Sequence, residues 1–548
     1  TNNIWYNSII ATQASVAAFH TGKPVKLVYT RDEQEKFMET VLPISITHKT
    51  GIDSSGKLMA MQIKIDVDAG ASNPFIQEIL DRLVIGACGC YNPVNVSINA
   101  TAYSSSNAPS SIELPLIDSS AFFAVENQIY SLSTLTGLTP YEIKKANIQS
   151  LNKDKYSRPF ALNFTKAEEI INAVTKQSDY NRKFASYHLE SINRTTSKNA
   201  AHSDYFAEAP LRGIGLSCGY EGTGYYGSGV YSNQQNIELS LDENKILTIH
   251  CPQQSSSIRQ IWETTASQIL KIPVSSIKFN TEFNSKEEPL IPDTIYSNIT
   301  IMTTLLKKCC TSLAKKMEKA KLPLTIKKSF SSTTNLWNSQ EFSGVPFHTT
   351  SFAAAVVELE LDQCTFRENI RGIWIVINGG KILNLQAAES TVKLNIQKVL
   401  ISLVENSVID TENIHISFCS SDSEPLQIGE LVHQVLPAAY TQALSQAITR
   451  IVNKLPLQTD SLYNFYNSKF DKYFTRKPSL EFRAMTFFIK DGMQDEFELE
   501  FKKEFEDDFI LLNHQQALDM QLFGQGNNHC RFEEFIGDGS NYNTIYVY

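Results

Sequence analysis

Apolar and polar positions repeat with two different periods along the first 150 residues of the chain. A three-to-four spacing is typical of a helix, and strict alternation is typical of a half-buried strand. The pattern predicts, in chain order, a helix over 4–20, a strand over 24–30, and two strands that flank the turn sequence 53–56, the second running over 58–67. It then predicts a strand over 94–104, a helix over 120–135, and a helix that begins at Pro140 with Thr139 as its cap. Helices and strands that interleave in this way predict a mixed α/β unit over residues 1–150.

Beyond residue 150 the pattern divides into further stretches. Residues 151–205 are polar with helical spacing and are interpreted as a helical bridge. Over residues 206–460 strands and helices alternate again, which predicts a second unit of the same kind. The predicted fold class is therefore α/β, in the mixed α+β form.

The last stretch, residues 461–548, is predicted to be a small β-rich C-terminal extension. Within it, Asp491-Gly492 supplies a turn that favours positive φ, and Phe497, Leu499 and Phe501 alternate with charged residues. This pattern predicts a β-hairpin over 482–505 with the three apolar side chains buried on one face.

The composition limits the classes of function. A chain of 548 residues is too long for one hydrophobic core. Its net charge of −9 argues against the basic surface that nucleic acids require, and no apolar run reaches the roughly 18 residues that span a membrane. Nucleic-acid and membrane partners are therefore not expected. The chain begins at Thr1 rather than Met, as a fragment or a processed product does.

The nine cysteines are scattered without the spacing of a disulfide framework, a zinc site or an iron–sulfur cluster. We interpret the cysteines as reduced thiols of a cytoplasmic protein. No metal-ligating residue is assigned to this chain, and any iron–sulfur cluster is expected on another polypeptide or on a missing region.

Short segments spread over residues 5–460 match one family in order and spacing. They are Thr21–Glu33, Gly56–Leu58, Asp68–Gly70, Gly89–Val96, Phe123–Glu126, Gly137–Asn147, Arg212–Gly215, Ile269–Pro273, Val357–Asp362, Gly380–Asn384, and Gln427–Glu430 with the Ala-rich helical run after it. Together they resemble the molybdenum-cofactor part of the molybdenum hydroxylases, the xanthine dehydrogenase and aldehyde oxidase family. The resemblance implies two molybdopterin-binding-type units that face a cleft.

The same resemblance makes Glu430 the candidate catalytic residue, because the family places the carboxylate of a Gly-Glu pair beside the molybdenum. A base must accept a proton as a water-derived oxygen attacks an electron-poor carbon, and burial can raise a carboxylate's pKa toward working pH. The alternative is structural: Gly429 ends a turn and Glu430 caps the helix that follows.

Cofactor-binding residues follow from the resemblance as well. Gly429 belongs to the Gly-Glu pair, and Ser297 and Thr300 stand where the family has hydroxyls near the cofactor's phosphate. An ordinary helix N-cap at Ser297 explains the two hydroxyls equally well.

The sequence departs from the family in three places. No arginine occurs near residues 113–116, where the family has one that orients substrate. A Gly-Gln-Gly segment is replaced at 255–257 by three serines, and a Gly- and Gln-containing segment is replaced at 390–395. Glycines allow close backbone approach and glutamine provides paired hydrogen bonds, so these losses predict weaker retention of the cofactor.

Two hypotheses about function remain. The first is an oxidoreductase subunit that binds the molybdopterin cofactor and hydroxylates an N-heterocycle or an aldehyde with water-derived oxygen. Its expected partners are iron–sulfur and FAD-containing redox subunits or domains and a small-molecule substrate, and a homodimer is one expected assembly. The second is a degenerate family member, a pseudoenzyme that acts as a scaffold or partner-binding subunit. A soluble α/β binding protein that resembles the family by chance is disfavoured by the common order of the segments.

Overall fold

The computed structural model describes part of the chain. The described residues are 4–29, 40–73, 76–107, 110–111, 114–148, 162, 164, 166–196, 210–225, 236–251, 256–280, 299–329, 337–338, 341–361, 368–403, 413–419, 423–455, 474–480, 485–490, 492–505, 511–513, 516 and 544–547.

Helices and strands alternate along these residues. The helices are α1 (Ile4–Thr21), α2 (Ile76–Gly86), α3 (Leu114–Thr136), α4 (Pro140–Asn147), α5 (Ala167–Ser178), α6 (Tyr180–Thr196), α7 (Ser256–Leu270), α8 (Ile299–Met317), α9 (Leu385–Leu403), α10 (Leu431–Ala447) and α11 (Gln494–Phe505), with a 3₁₀ turn at Val274–Ser276. The predicted mixed α/β fold class is therefore confirmed.

The strands are as follows, in chain order: β1 (Thr40–Val41), β2 (Ile44–Ile52), β3 (Leu58–Asp68), β4 (Asn95–Tyr103), β5 (Ser110–Ser111), β6 (Leu211–Tyr225), β7 (Asn236–Leu241), β8 (Leu247–His250), β9 (Ile277–Asn280), β10 (Leu324–Ser329), β11 (Trp337–Asn338), β12 (Ser343–Gly344), β13 (Phe347–Leu361), β14 (Glu368–Asn378), β15 (Ile414–Phe418), β16 (Phe474–Leu480), β17 (Met485–Ile489), β18 (Leu511–Asn513) and β19 (Thr544–Val547). They pair in four main sheets, β2-β3-β4, β15-β14-β13-β6, β10-β7-β8-β9 and β16-β17-β19-β18, and in two short pairs, β1-β5 and β11-β12.

The N-terminal sheet brings two of the family-like segments, Gly56–Leu58 and Gly137–Asn147, into contact. The β2–β3 turn closes at Gly56, whose φ of +84° is a conformation that glycine adopts readily. Asn147, at the end of α4, then joins that turn to the helix, since its side chain donates to the Gly56 carbonyl over 2.6 Å and accepts from the Leu58 amide over 2.8 Å. Helix α4 itself begins with the predicted Thr139 cap and first-turn Pro140.

The central sheet β15-β14-β13-β6 is covered on both faces. Side chains of β6 such as Leu216 and Tyr220 join the core formed by the N-terminal sheet and helices α2, α3, α5 and α6. The opposite face packs against α9 and α10 in a second core. The N-terminal part of the chain and the central sheet therefore share one hydrophobic core.

Helix α10 crosses β6 at very short range because glycines line the strand. A Cβ placed on Gly213 would lie 1.8 Å from the Ala443 carbonyl oxygen, and one on Gly215 would lie 2.0 Å from that of Ala439. No side chain fits at either position without moving the helix. These glycines therefore fix the height and register of α10 on the sheet.

A buried polar network joins the N-terminal helices to the same strand. Glu126 of α3 pairs with Lys144 of α4, and both side chains are inaccessible to solvent. The Glu126 carboxylate also accepts from the Tyr91 hydroxyl over 2.5 Å and from the Cys218 amide of β6 over 3.2 Å. Removal of either charge would leave the other buried and unpaired, which is a costly state.

The two remaining main sheets are β10-β7-β8-β9 and β16-β17-β19-β18. Sheet β10-β7-β8-β9 packs on α7 and α8 around Trp262 in a separate core. Strands β16 to β19 build the last sheet. Among the described helices, none has the length and apolar character needed to cross a bilayer.

Two predictions about secondary structure were wrong. Residues 24–29 form no strand, and Thr30 lies outside the described residues. The apolar side chain of Val28 is 68% exposed there, so no neighbouring strand or core rewards an extended pairing.

The hairpin predicted over 482–505 is a strand followed by a helix, β17 and α11. Phe497 and Phe501 are buried with ring centroids 5.5 Å apart, while Leu499 between them is 58% exposed. Residues four apart share a helix face, whereas in a strand all three side chains would point the same way. Acidic Asp495 and Glu496 in the first turn also favour the helix.

Candidate active site

Glu430 stands at the N-cap position of α10, as the structural alternative required, yet its side chain does not cap the helix. Its Oε2 atom instead accepts a hydrogen bond from Nη2 of Arg82 in an ion pair. Its backbone amide donates to the Glu221 carboxylate of β6 over 2.9 Å. The carboxylate is thus turned away from its own helix and toward α2.

The preceding residue is held separately. The Gly429 carbonyl accepts a hydrogen bond from the Asn395 side chain of α9 over 2.7 Å. A Cβ on Gly429 would meet no atom within 4 Å among the described residues. Gly429 is therefore not a packing glycine, and the space beside it is open.

Arg82 comes from the N-terminal part of the chain, and the rest of the site comes from the central sheet and its helices. The Arg82 side chain is 3% exposed and that of Glu430 is 22% exposed. Arg82 therefore lies behind Glu430 as seen from solvent. The second carboxylate oxygen of Glu430, Oε1, makes no hydrogen bond within the described ranges.

Neighbouring Asp81 fixes the helix that carries Arg82. Its carboxylate accepts from the Gln77 side chain over 2.9 Å and from the Tyr225 hydroxyl over 3.1 Å. Trp337 in turn donates to that hydroxyl over 3.2 Å. Burial raises the pKa of Asp81 and that of Tyr225. Asp81, the residue before Arg82, is thus anchored to the end of β6.

Thr300 lies in the first turn of α8, and its hydroxyl is 3.1 Å from that of Thr223 on β6. The Thr223 hydroxyl is also 2.7 Å from that of Thr349 on β13. Thr223 follows Glu221 by two residues, so both side chains lie on the same face of β6. A helix N-terminus with hydroxyls beside it suits a phosphate group. Ser297 lies outside the described residues.

The segments that depart from the family are mainly helical in the structure. Residues 114–116 form the first turn of α3, Ser256 and Ser257 begin α7, and residues 390–395 lie inside α9. Asn395 ends the last of these segments and is the residue that bonds the Gly429 carbonyl. The Asn395 side chain thus contacts the backbone next to Glu430.

The side chain of Gln434 indicates whether a polar cofactor could bind beside Glu430. Gln434 follows Glu430 by four residues and so shares its side of α10. Its side chain is buried, and neither its oxygen nor its nitrogen has a hydrogen-bond partner within the described part of the chain. An unsatisfied buried amide costs about 1–3 kcal/mol. Together with the open side of Gly429 and the Thr300 hydroxyl, this amide is compatible with a bound polar cofactor.

Sequence reasoning proposed Glu430, Gly429 and Thr300 as site residues, and it did not point to their neighbours Arg82, Glu221, Asn395 and Gln434. For Arg82 a signal existed, since a charged residue between Leu80 and Leu83 interrupts an apolar helix face, and such residues are seldom buried without a partner. The position of Glu221 in a glycine-rich strand gives no comparable signal.

Comparison with known proteins identifies the family. Two family models, both described as molybdopterin cofactor-binding domain, match residues 6–148 and 188–393, which together make up more than half of the chain. The chain belongs to the molybdenum hydroxylase family. Both matched regions are molybdopterin cofactor-binding domains by these models.

Individual relatives agree with this assignment. The chain is 29% identical over 167 residues to a probable xanthine dehydrogenase subunit of Bacillus subtilis, covering 30% of this chain and 22% of that protein. It is 21% identical over 400 residues to the xanthine dehydrogenase/oxidase of Felis catus, covering 69% of this chain and 29% of that protein. The chain thus spans less than a third of the length of these relatives.

A solved structure supports the fold. The aldehyde oxidoreductase of Desulfovibrio gigas superposes with a TM-score of 0.59 at 17% identity, covering 80% of this chain and 51% of that one. Identity at this level supports the architecture and leaves the chemistry to the residues of the site.

Proposed function

We propose that this chain is the cofactor-binding part of a molybdenum hydroxylase that acts on an N-heterocycle or an aldehyde. In this reaction a C–H bond of the substrate becomes C–OH, the oxygen comes from water, and two electrons and two protons are released. The observation that carries the proposal is the placement of Glu430, whose Oε1 makes no hydrogen bond among the described residues and whose neighbour Gly429 has open space beside it.

The cofactor would be held by the N-terminus of α8, by the two hydroxyls beside it and by the amide of Gln434. The N-terminus of α8, with the hydroxyls of Thr300 and Thr223, suits its phosphate. The amide of Gln434 offers one acceptor and two donors to its polar ring system. When bound, the molybdenum cofactor accepts the two electrons that leave the substrate carbon.

Glu430 acts as the general base in this proposal. A positioned carboxylate can accept the proton from the attacking oxygen as the new C–O bond forms, which typically contributes about 10²–10⁴-fold to the rate. Its partial exposure lets the proton pass on to solvent afterwards. The contacts from β6, α9 and α2 keep the acceptor atom in one place.

The two electrons released from the substrate need an acceptor outside this chain. Iron–sulfur and FAD-containing partners, as subunits or as regions outside this sequence, would supply it, and a cytoplasmic location would keep the described cysteines as free thiols. A homodimer belongs to the same proposal. So does the division of the chain at residues 150, 205 and 460, with residues 461–548 as an extension.

The test is molybdenum content and turnover of the full chain with its redox partners, produced in a host that makes the cofactor. Glu430→Gln should keep the metal and lose about 10²–10⁴-fold in kcat. Glu424→Gln is the matched control, because it makes the same change six residues away in an exposed ion pair with Lys307. It should leave turnover unchanged.

A metal-free wild type that still assembles with redox partners would contradict the proposal. That result would favour the degenerate scaffold, which the altered segments at 255–257 and 390–395 also predict through weaker cofactor retention. Metal-loaded wild type with an active Glu430→Gln variant would instead remove Glu430 from its role as base.

A further inference from the structure

We propose that Arg82 is a positioning residue for Glu430, supplied to the site by α2 of the N-terminal part of the chain. The inference rests on the proposed function, since it concerns how the base of that reaction is held. It gives this chain a buried guanidinium at the site although no arginine occurs at 113–116.

The exposures decide what Arg82 can touch. Its side chain is 3% exposed, against 22% for Glu430, so the guanidinium lies behind the carboxylate and not in front of it. Arg82 therefore acts through Glu430 and does not meet the substrate. It occupies Oε2 and leaves Oε1 without a hydrogen bond among the described residues.

The charges around the pair explain why a cation is needed there. Glu221 of β6 is buried and accepts from the Glu430 amide, so two carboxylates lie close together at the start of α10. The Asp81 carboxylate on α2 is bound to Tyr225 and Gln77 instead of to this pair. His433 follows one turn along α10, and burial lowers its pKa to about 4, so it is neutral near pH 7. Like charges in a poorly solvated site repel strongly.

Arginine suits this position better than lysine. Its guanidinium is planar, stays charged when buried and fixes the direction of a carboxylate, whereas a lysine ammonium is a flexible point charge. Because α2 belongs to the N-terminal part of the chain and α10 packs on the central sheet, the contact also links the orientation of the base to the docking of the two parts. The base is therefore fully oriented only when the two parts are docked.

The first readout is steady-state kinetics of Arg82→Met, Arg82→Lys and a matched Arg212→Met control, whose arginine pairs with Glu360 away from the site. Arg82→Met should lower kcat about 100-fold, since a small misplacement of a catalytic group has an effect of that size. KM should change by less than about threefold, because Arg82 does not contact substrate. Arg82→Lys should lose about tenfold, and Arg212→Met should match wild type.

The second readout does not need turnover. Carbodiimide coupling with an amine nucleophile, followed by peptide mapping, measures how fast the Glu430 carboxyl reacts. An ion-paired carboxylate reacts slowly, so Arg82→Met should speed labelling of Glu430 several-fold over both wild type and Arg212→Met. Arg82→Lys should lie between them, and it remains informative if Arg82→Met fails to fold.

The two proposals fail in different ways. Wild-type turnover and wild-type labelling in Arg82→Lys would overturn the positioning role even if Glu430→Gln is inactive. Faster labelling in the Arg82 variants of a protein that has no turnover at all would uphold the ion pair as the device that orients Glu430, while the proposed reaction is lost. A change in KM alone would overturn the inference, because it would place Arg82 against the substrate.

Discussion

The two ends of helix α10 are held in opposite ways. Along its middle and C-terminal part, the helix lies so close to β6 that a Cβ on Gly215 would come within 2.0 Å of a carbonyl oxygen. At its N-terminus a Cβ on Gly429 would meet nothing within 4 Å among the described residues. Close packing at one end and open space at the other give Glu430 a rigid support and an accessible carboxylate.

This difference separates two uses of glycine that look alike in the sequence. Gly215 is required because backbone must approach backbone, and the site depends on it only through the helix. A Cβ on Gly429 would pack against nothing among the described residues, and in the proposed function this glycine keeps space beside Glu430. Functional groups held on rigid elements keep their geometry better than groups on loops.

Gly215→Ala should have the largest effect on stability. The added methyl would overlap the Ala439 carbonyl and force α10 off the sheet, so the free energy of unfolding should fall by about 3 kcal/mol or more. Denaturant unfolding, followed by circular dichroism, measures the loss. A variant as stable as wild type would show that the helix can lift from β6 at no cost, and the rigid end of the comparison would disappear.

Sequence reasoning was most successful where local chemistry determines structure. The Thr139–Pro140 helix start and the turn at Gly56 depend on residues within a few positions of each other. The helix over 494–505 was missed because Phe497 and Phe501 satisfy both a period of two and a spacing of four. Only the burial of side chains in the folded chain separates these alternatives, because Phe497 and Phe501 are buried and Leu499 is exposed.

The candidate site shows the same limit. Glu430 was proposed from its motif, but its partner Arg82 is 348 positions away and pairs with it only through the packing of α2 against the central sheet. Likewise, the Asn395 contact to Gly429 requires α9 and α10 to lie side by side. Contacts between distant segments follow from tertiary packing, which single-sequence patterns do not contain.

The pH dependence of stability should reveal the partly buried ring of His433, on the first turn of α10. Burial lowers its pKa to about 4, below its ordinary value of 6.5, and His48 behaves in the same way. The unfolded chain therefore binds more protons between these pH values, so stability should fall as pH drops from 6.5 to 4. Urea unfolding at steps of pH measures this slope.

His433→Gln removes one of these contributions, so the variant should lose less stability than wild type between pH 6.5 and 4. The exposed His20 offers a matched control, and His20→Gln should follow the wild-type curve. Identical slopes for all three proteins would mean that the His433 ring is solvated, and the first turn of α10 would be more open than described.

Asn395→Ala should have a smaller effect. It removes the hydrogen bond to the Gly429 carbonyl, worth about 0.5–1.5 kcal/mol, and water can reach this exposed carbonyl in its place. Thermal unfolding gives the stability change, and kcat should fall as the backbone next to Glu430 loosens. A loss of stability with kcat intact would mean that Asn395 serves packing alone and that the open end of α10 needs no support from α9.

Gly429→Ala should change stability least and sharpens the comparison most. The backbone there has no positive φ and no atom near the added methyl, so the free energy of unfolding should shift by less than about 1 kcal/mol, in the stabilising direction, as the unfolded chain loses freedom. Molybdenum content or turnover should nevertheless fall, because the methyl enters the space beside Glu430. The same Gly-to-Ala change would then be severe for stability at 215 and mild at 429, with the order reversed for function. A Gly429→Ala protein with full metal content and full turnover would mean that the open space serves neither cofactor nor substrate.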